Sequence, residues 1–224
     1  DKFQDDDPIE PGASFTQWQY LKDELKKDVD SRRAVIHIRM PQDSYLATKD
    51  VPCTLTLQFF IREGALHQVA SMRSSDLILG IAYDVPAFTL FQELLAHELG
   101  VECGSYTHIS NSLHIYERHY GMVEKILNDP WVKEFPHRCK AMPAMPEIPP
   151  LDVINKHEEI FRTSINEVEL RDVVRATWKL GLNSYWQDWL LILAWHRAGK
   201  LELLEYQREL MDFVSFSGYK LFNK

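Results

Sequence analysis

The sequence predicts an α+β fold with an all-helical carboxy-terminal third, on three observations. Residues 53–61 (CTLTLQFFI) and 65–72 (ALHQVASM) are β-rich runs divided by Glu63-Gly64, which reads as a hairpin. Segments with apolar residues at helical spacing lie around them. Six of the eleven prolines crowd between Pro130 and Pro150, and none follows.

Taken in order, residues 1–14 are polar and carry Pro8, Pro11 and Gly12, so they read as a loop or frayed end. Trp18, Leu21 and Leu25 then predict a helix from Phe15 to about Val29, capped by Ser14 or Thr16. Residues 33–40, RAVIHIRM, alternate as a half-buried strand does. A loop through Pro41 to Pro52 leads into the hairpin. Asp84 precedes Val85-Pro86, and proline is at home in a first helical turn, so a helix is expected to open there. Its buried stripe is Phe88, Phe91, Leu94 and Leu95, and Gly100 is its natural end. Residues 104–110 read as a strand, and from about Ser112 a second helix runs to near Asn128. Prolines make 129–151 an extended linker. Three helices follow, at about 157–180, 184–198 and 200–215, separated by Gly181 and Gly199.

Composition narrows the function. A chain of 224 residues with 45% hydrophobic side chains builds a real core, and its net charge of -8 argues against a polymeric nucleic-acid partner. Three cysteines in no motif spacing make no disulfide framework, which predicts a reducing, cytoplasmic setting. No apolar run reaches the ~18–20 residues a bilayer requires, so no membrane span is expected. The acidic start, with Asp5-Asp6-Asp7, is no signal peptide and reads as a solvated end. The nine histidines form no HExxH and the cysteines no CxxC, so no metal is expected.

The chemistry concentrates in residues 52–119. Cys53 reads either as a buried structural cysteine or as a thiolate nucleophile with a cation beside it. Arg73 ends the strand paired with that of Cys53 and is the candidate cation. Arg73-Ser74-Ser75-Asp76, and likewise Arg32-Arg33, read as solvated surface or as guanidiniums and hydroxyls suited to a phosphate monoester. Asp84 is most simply a helix N-cap. His114 and Tyr116 read as polar groups of a core corner. His97 and His119, with Cys103 and Cys139, read as packing or surface. Tyr185-Trp186-Gln187-Asp188-Trp189 reads either as the lining of a pocket or, with Trp178 and Trp195, as helix-packing core.

Over residues 16–125 the ordered set SRR, PCT, QFFIREGALHQVASMRSSD, LGIAYD and HIYERH resembles the thymidylate synthase family. In that family SRR is followed by a Pro-Cys strand, a Q-R-S-x-D turn, L-G-x-x-x-N and H-x-Y. Three departures, Thr54, Met72 and Asp84, resemble the cytidylate branch, the phage-type deoxycytidylate hydroxymethylases, as does the Ser112-to-His119 corner. The linker over 129–151 and the all-α extension over 152–224 follow from the prolines and the helical spacing. The resemblance implies that what precedes them, 1–128, is a catalytic core with a mostly antiparallel sheet and packed helices. It also implies that Cys53 attacks C6 of a pyrimidine nucleoside monophosphate and that Asp84 reads the base. Arg73, Ser74 and Ser75 would hold the phosphate, and His114 and Tyr116 the sugar. Asp76 would face the folate, 5,10-methylenetetrahydrofolate being the co-substrate. Arg32 and Arg33 would cross into the partner site of a homodimer.

The implied product is a 5-hydroxymethylcytidylate. Methylation of deoxyuridylate, and a nucleotide-binding relative with reduced chemistry and a helical interaction module, are the other expectations. Only 31 residues precede Arg32, where the family has a much longer portion that carries a catalytic glutamate. Glu10 and Glu24 match that glutamate by number only. Residues 152–224 do not resemble the family's ending, although Gly218-Tyr219 is similar to its closing G-Y.

Overall fold

The computed structural model describes residues 16–45, 47–48, 50–130, 132 and 143–216. Asp5-Asp6-Asp7, Glu10, Cys139 and Gly218-Tyr219 lie outside them. The chain divides into two compact units, Asp1–Glu124 and Lys125–Lys224.

The first unit opens with α1, Gln17–Lys27, whose N-cap Thr16 accepts a hydrogen bond from the Gln19 amide (3.1 Å). Its buried side is Leu21, Glu24 and Leu25. Strand β1 is only Val35–His37, shorter than its alternating sequence predicts. The Asp43 carboxylate takes the Met40 amide (2.7 Å) and turns the chain into a 3-10 turn at Pro41–Ser44. Strands β2, Thr54–Arg62, and β3, Ala65–Met72, form the predicted hairpin. Its turn is Glu63 (φ 54°) and Gly64 (φ 80°), two left-handed residues as a type I′ turn requires.

Helix α2, Gly80–Leu99, begins a full turn before the predicted start at Asp84. The Asp76 carboxylate accepts from the Ile78 and Leu79 amides (3.1 and 3.2 Å), so the entry is organised upstream. Asp84 is therefore no N-cap, and Pro86 lies inside the helix. The stripe also differs: Phe88, Gln92, Leu95 and Ala96 are buried, whereas Phe91 is exposed. Gly100 ends the helix at φ 68°, and the Val101 amide returns to the Ala96 carbonyl (3.0 Å).

Strand β5, Glu102–Ser110, pairs with β3 in parallel, so the sheet order is β1-β2-β3-β5 with one parallel join. A parallel pair needs a crossover, and α2 is that crossover. An extra residue bulges β5 between the Leu66–Cys103 and Gln68–Tyr106 pairs. Gln92 of α2 staples the bulge, its Nε2 donating to the carbonyls of Leu66, Gly104 and Ser105 (2.7, 3.1 and 3.3 Å). One sheet face, with Leu57, Phe59, Ile61, Leu66, Ala70 and Met72, packs on Leu21 and Leu25 of α1 and Phe88 and Leu95 of α2.

Beyond β3 and β5 the chain pairs once more. β4, Ser75–Asp76, runs parallel to β6, Leu113–His114. The helix predicted from Ser112 is thus a strand, then a 3-10 turn at Glu117–His119, and only then α3, Tyr120–Asn128. The pairing partner of β6 is distant in sequence, so local pattern does not announce it.

The second unit holds four long helices among its described residues rather than three. These are α4, Leu151–Thr163; α5, Glu167–Trp178; α6, Ser184–Lys200; and α7, Leu204–Phe213. The predicted helix 157–180 breaks at Ser164, whose carbonyl accepts two bonds from Arg197 of α6. Gly199 lies within α6, and Glu202 (φ 60°) makes the next turn. Of the tryptophans, Trp186 is buried (4%) and Trp178 half exposed (50%).

On the other sheet face His67 stacks on Phe60 (5.4 Å) and accepts from the Ser105 amide (3.0 Å). A Cβ on Gly104 would stand 2.7 Å from that imidazole, too close for any real contact. Gly104→Ala is expected to cost about 1–3 kcal/mol in denaturant unfolding. The same change in a His67→Ala background should cost far less. Equal costs in both backgrounds would refute the steric account.

Candidate active site

Cys53 stands directly before β2 with an exposed, free thiol. Hairpin pairing puts Arg73, the residue after β3, across from it: the Arg73 amide donates to the Cys53 carbonyl (2.9 Å). The Arg73 guanidinium donates through Nε to the Pro52 carbonyl (3.0 Å) and through Nη2 to Val51 (2.8 Å). It thereby fixes the loop that presents the thiol. Two of its five N–H donors are used in this way, and the rest remain for an anion.

The β4–β6 pairing carries the next residues to His114. Ser74 Oγ lies 3.4 Å from His114 Nδ1, and the His114 and Tyr116 rings meet edge-on at 4.8 Å. Arg118 lies over the Tyr116 ring at 4.3 Å, and its Nε donates to His119 Nε2 (3.3 Å). His119 Nδ1 is buried with no partner. Burial works to raise the Asp76 carboxyl, but the Ile78 and Leu79 amides and the charges of His119 and His114 hold it below the usual carboxylate range.

Ser75 is buried (3%) and points the other way, its Oγ 3.2 Å from His108 Nε2. Tyr106 Oη lies 2.8 Å from His108 Nδ1. Asp84 sits in the second turn of α2 beside this pair. Burial pushes its carboxyl above the usual range, against the charge of His108, which pulls it down. Burial and the Asp84 charge push the Tyr106 phenol up to about 12. Sequence reasoning missed Tyr106 and His108; the one available signal was their i, i+2 spacing in a strand, which puts both on one face.

Arg32 and Arg33 precede β1, where the Arg32 carbonyl accepts from Gln58 and the Ala34 carbonyl from Phe59. They lie toward the hairpin end of β2, whereas Cys53 adjoins its other end. At ~3.3 Å per residue the separation along the strand is roughly 20 Å. Arg33 Nε is held by Glu24 (2.9 Å), which is itself buried and also accepts from Ser31 Oγ. Glu24 is thus committed to Ser31 and Arg33. Among the described residues no group of three His, Cys, Asp or Glu is placed to hold a metal ion. No helix among them is long and apolar enough to cross a membrane. A cavity of about 350 Å³ between α4 and α6 contains none of the predicted site residues.

Because the folded chain holds the Asp84 proton more tightly than the unfolded chain, Asp84 contributes stability below its unfolded value and loses it as pH rises through the folded one. Asp84→Asn should therefore raise Tm relative to the native chain at about pH 7–8, with the difference shrinking toward about pH 4. Thermal melts across that range read the effect, and a gain that grew on acidification would reverse the sign.

A family model described as thymidylate synthase matches residues 3–174. The match runs from before α1 into α5, past the 16–125 stretch on which the resemblance was read. Spanning well over half of the 224 residues, it establishes that the chain belongs to the thymidylate synthase family, which carries out folate-dependent one-carbon transfer to C5 of a pyrimidine nucleotide.

Proposed function

We propose that the chain hydroxymethylates C5 of a cytidine monophosphate, CMP or dCMP, using methylenetetrahydrofolate and water. The observation that carries this reading is the residue at position 84: where the family places a base-reading asparagine, this chain holds a half-buried carboxyl in the second turn of α2, and burial raises its pKa. An asparagine amide donates to O4 and accepts from N3–H, which suits uracil. A protonated carboxyl accepts from the N4 amine and donates to N3, which suits cytosine.

In this mechanism C5 is a poor nucleophile until the Cys53 thiolate adds to C6 and makes it enamine-like. The folate co-substrate supplies the methylene group. Loss of the C5 proton, with departure of the folate amine, leaves an exocyclic methylene; hydroxide from water adds to it, and expulsion of the thiolate restores the ring. The spare Arg73 donors and Ser74 hold the phosphate with Ser75 in support, His114 and Tyr116 meet the sugar, and Asp76 faces the folate. The reading belongs to nucleotide biosynthesis in a reducing cytoplasm, which keeps Cys53 a thiol. The domain division of core, linker and helical extension is part of the same proposal.

The site of Arg32 and Arg33, roughly 20 Å along the strand from their own chain's Cys53, supports their service to a partner's site in a homodimer. Glu24 fixes the direction of Arg33 for that purpose. One observation favours a second reading, a nucleotide-binding relative without turnover: Glu24, a numerical candidate for the family's catalytic glutamate, is occupied elsewhere.

Incubation with CMP, dCMP or dUMP plus methylenetetrahydrofolate, followed by mass analysis, separates these readings. Hydroxymethylcytidylate is the expected product, methylated uridylate overturns the proposal, and binding without C5 tritium release supports the second reading. Cys53→Ala should lower tritium release by about 10³-fold or more. Asp84→Asn should shift base preference toward uridylate by about 10²-fold.

Mixing inactive Cys53→Ala protein with inactive Arg32→Ala/Arg33→Ala protein tests the crossing arginines. Random exchange makes half the dimers mixed, each with one intact site, so about a quarter of native activity should return. No recovery after demonstrated exchange would remove the arginines from the partner's site.

A further inference from the structure

The helical unit contains a cavity that joins an apolar floor to a cluster of cations. It measures about 350 Å³ and lies between α4 and α6. α4 lines it with Glu158, Phe161 and Arg162, at the i, i+3, i+4 spacing of one helix face. α6 faces them with Leu193, His196, Arg197 and Lys200, spaced in the same way. Phe161 is 2% exposed and belongs to the core of this unit, and Leu193 packs against that core. Both guanidiniums are anchored. Arg162 Nε donates to Glu158 Oε1 (3.1 Å), and Arg197 Nε donates to the Ser164 carbonyl (2.9 Å) with Nη2 on the same oxygen. Of the five N–H donors of a guanidinium, Arg162 thus spends one and Arg197 two. His196 and Lys200 make no hydrogen bond or ion pair among the described residues.

Cations in a last helical turn complement the partial negative charge of the helix end, about half an elementary charge. Arg162 does so for α4, and Arg197 and Lys200 for α6. Those two ends, with Glu158, offset about two of the three positive charges. Roughly one positive charge is left in excess at the mouth of the cavity, on a chain whose net charge is -8. We propose that the cavity is a binding site for a small organic oxyanion with an apolar body, a phosphate monoester or a carboxylate. The inference does not depend on which base residue 84 reads.

Each part of the lining has its counterpart in such a ligand. A guanidinium presents paired N–H donors that match two oxygens of a phosphate or carboxylate. The anchoring bonds of Arg162 and Arg197 hold those pairs in place before a ligand arrives, so less order is lost on binding. Lys200 adds a point charge and His196 a ring nitrogen. Phe161 and Leu193 take the apolar body out of water. Glu158, the acid of the lining, is engaged by Arg162 and so repels an incoming anion less. The volume lies at the low end of small-molecule sites, which run from about 300 to 1,000 Å³, so the ligand is of mononucleotide size or smaller.

The test is NMR of the full chain titrated with phenyl phosphate, benzoate and inorganic phosphate. It is read at the His196 ring signal, which His196→Gln identifies and which reports on this cavity alone. Phenyl phosphate or benzoate should move that signal along a saturating curve. Inorganic phosphate, which has no apolar body, should bind about tenfold more weakly or worse. Tighter binding of phenyl phosphate assigns a phosphate monoester and tighter binding of benzoate a carboxylate, and either sustains the site. Arg162→Ala/Lys200→Ala should weaken the organic anion by about tenfold or more. Arg197 is left intact because it also holds the break at Ser164. If the double variant does not fold, Lys200→Glu, at the exposed end of α6, makes the same comparison. A His196 signal that stays still at millimolar organic anion overturns the site. So does binding that is unchanged in the charge variants, or inorganic phosphate that binds as well as the organic anions.

Discussion

The parallel join between β3 and β5 is the constraint on which the catalytic unit depends. Two parallel neighbours cannot be linked by a turn, so α2 must cross the sheet between them. That crossing carries Asp84 over the face where β5 displays Tyr106 and His108. The same join, carried past the strand ends, pairs Ser75–Asp76 with Leu113–His114 and brings Ser74 to the histidine. On its other edge β3 pairs with β2, which sets Arg73 against the carbonyls that frame Cys53. Gln92 secures the join where it is irregular, with one buried amide serving three carbonyls.

The sequence made legible what is decided over a few residues. Glu63-Gly64 announced the hairpin because two consecutive left-handed positions are a local demand. Gly100 announced the end of α2 for the same reason. The start of that helix was misread because Asp84-Val85-Pro86 has the chemistry of a helix opening. The Asp76 carboxylate, further upstream, takes the entry amides instead, and Pro86 is tolerated inside. β6 was illegible because it is set by a partner far along the chain, Ser75–Asp76; the break at Ser164 had a local signal that went unread, Asn166 capping the next helix with Glu169 three residues on.

The site divides in the same way. Cys53, Arg73, Asp84, His114 and Tyr116 stand in ordered blocks that resemble a known family, so they were visible before any coordinates. Tyr106 and His108 belong to no such block. Their setting comes from Ser75, hydrogen-bonded to His108, and from the charge of Asp84 on α2, elements of separate sequence origin. Glu24 shows the converse. Residue type and number offered it as a catalytic acid, while burial and two bonded neighbours give it the task of orienting Arg33.

At the outer side of the sheet, β1 is three residues long and faces α1. There the Gln17 side chain behaves as a miniature strand: its amide nitrogen donates to the His37 carbonyl (3.0 Å) and its oxygen accepts from the His37 amide (2.7 Å). An open strand edge is a template on which a foreign chain can grow the sheet. One glutamine occupies that template at His37, so this edge is blocked at that residue by a side chain of the first helix.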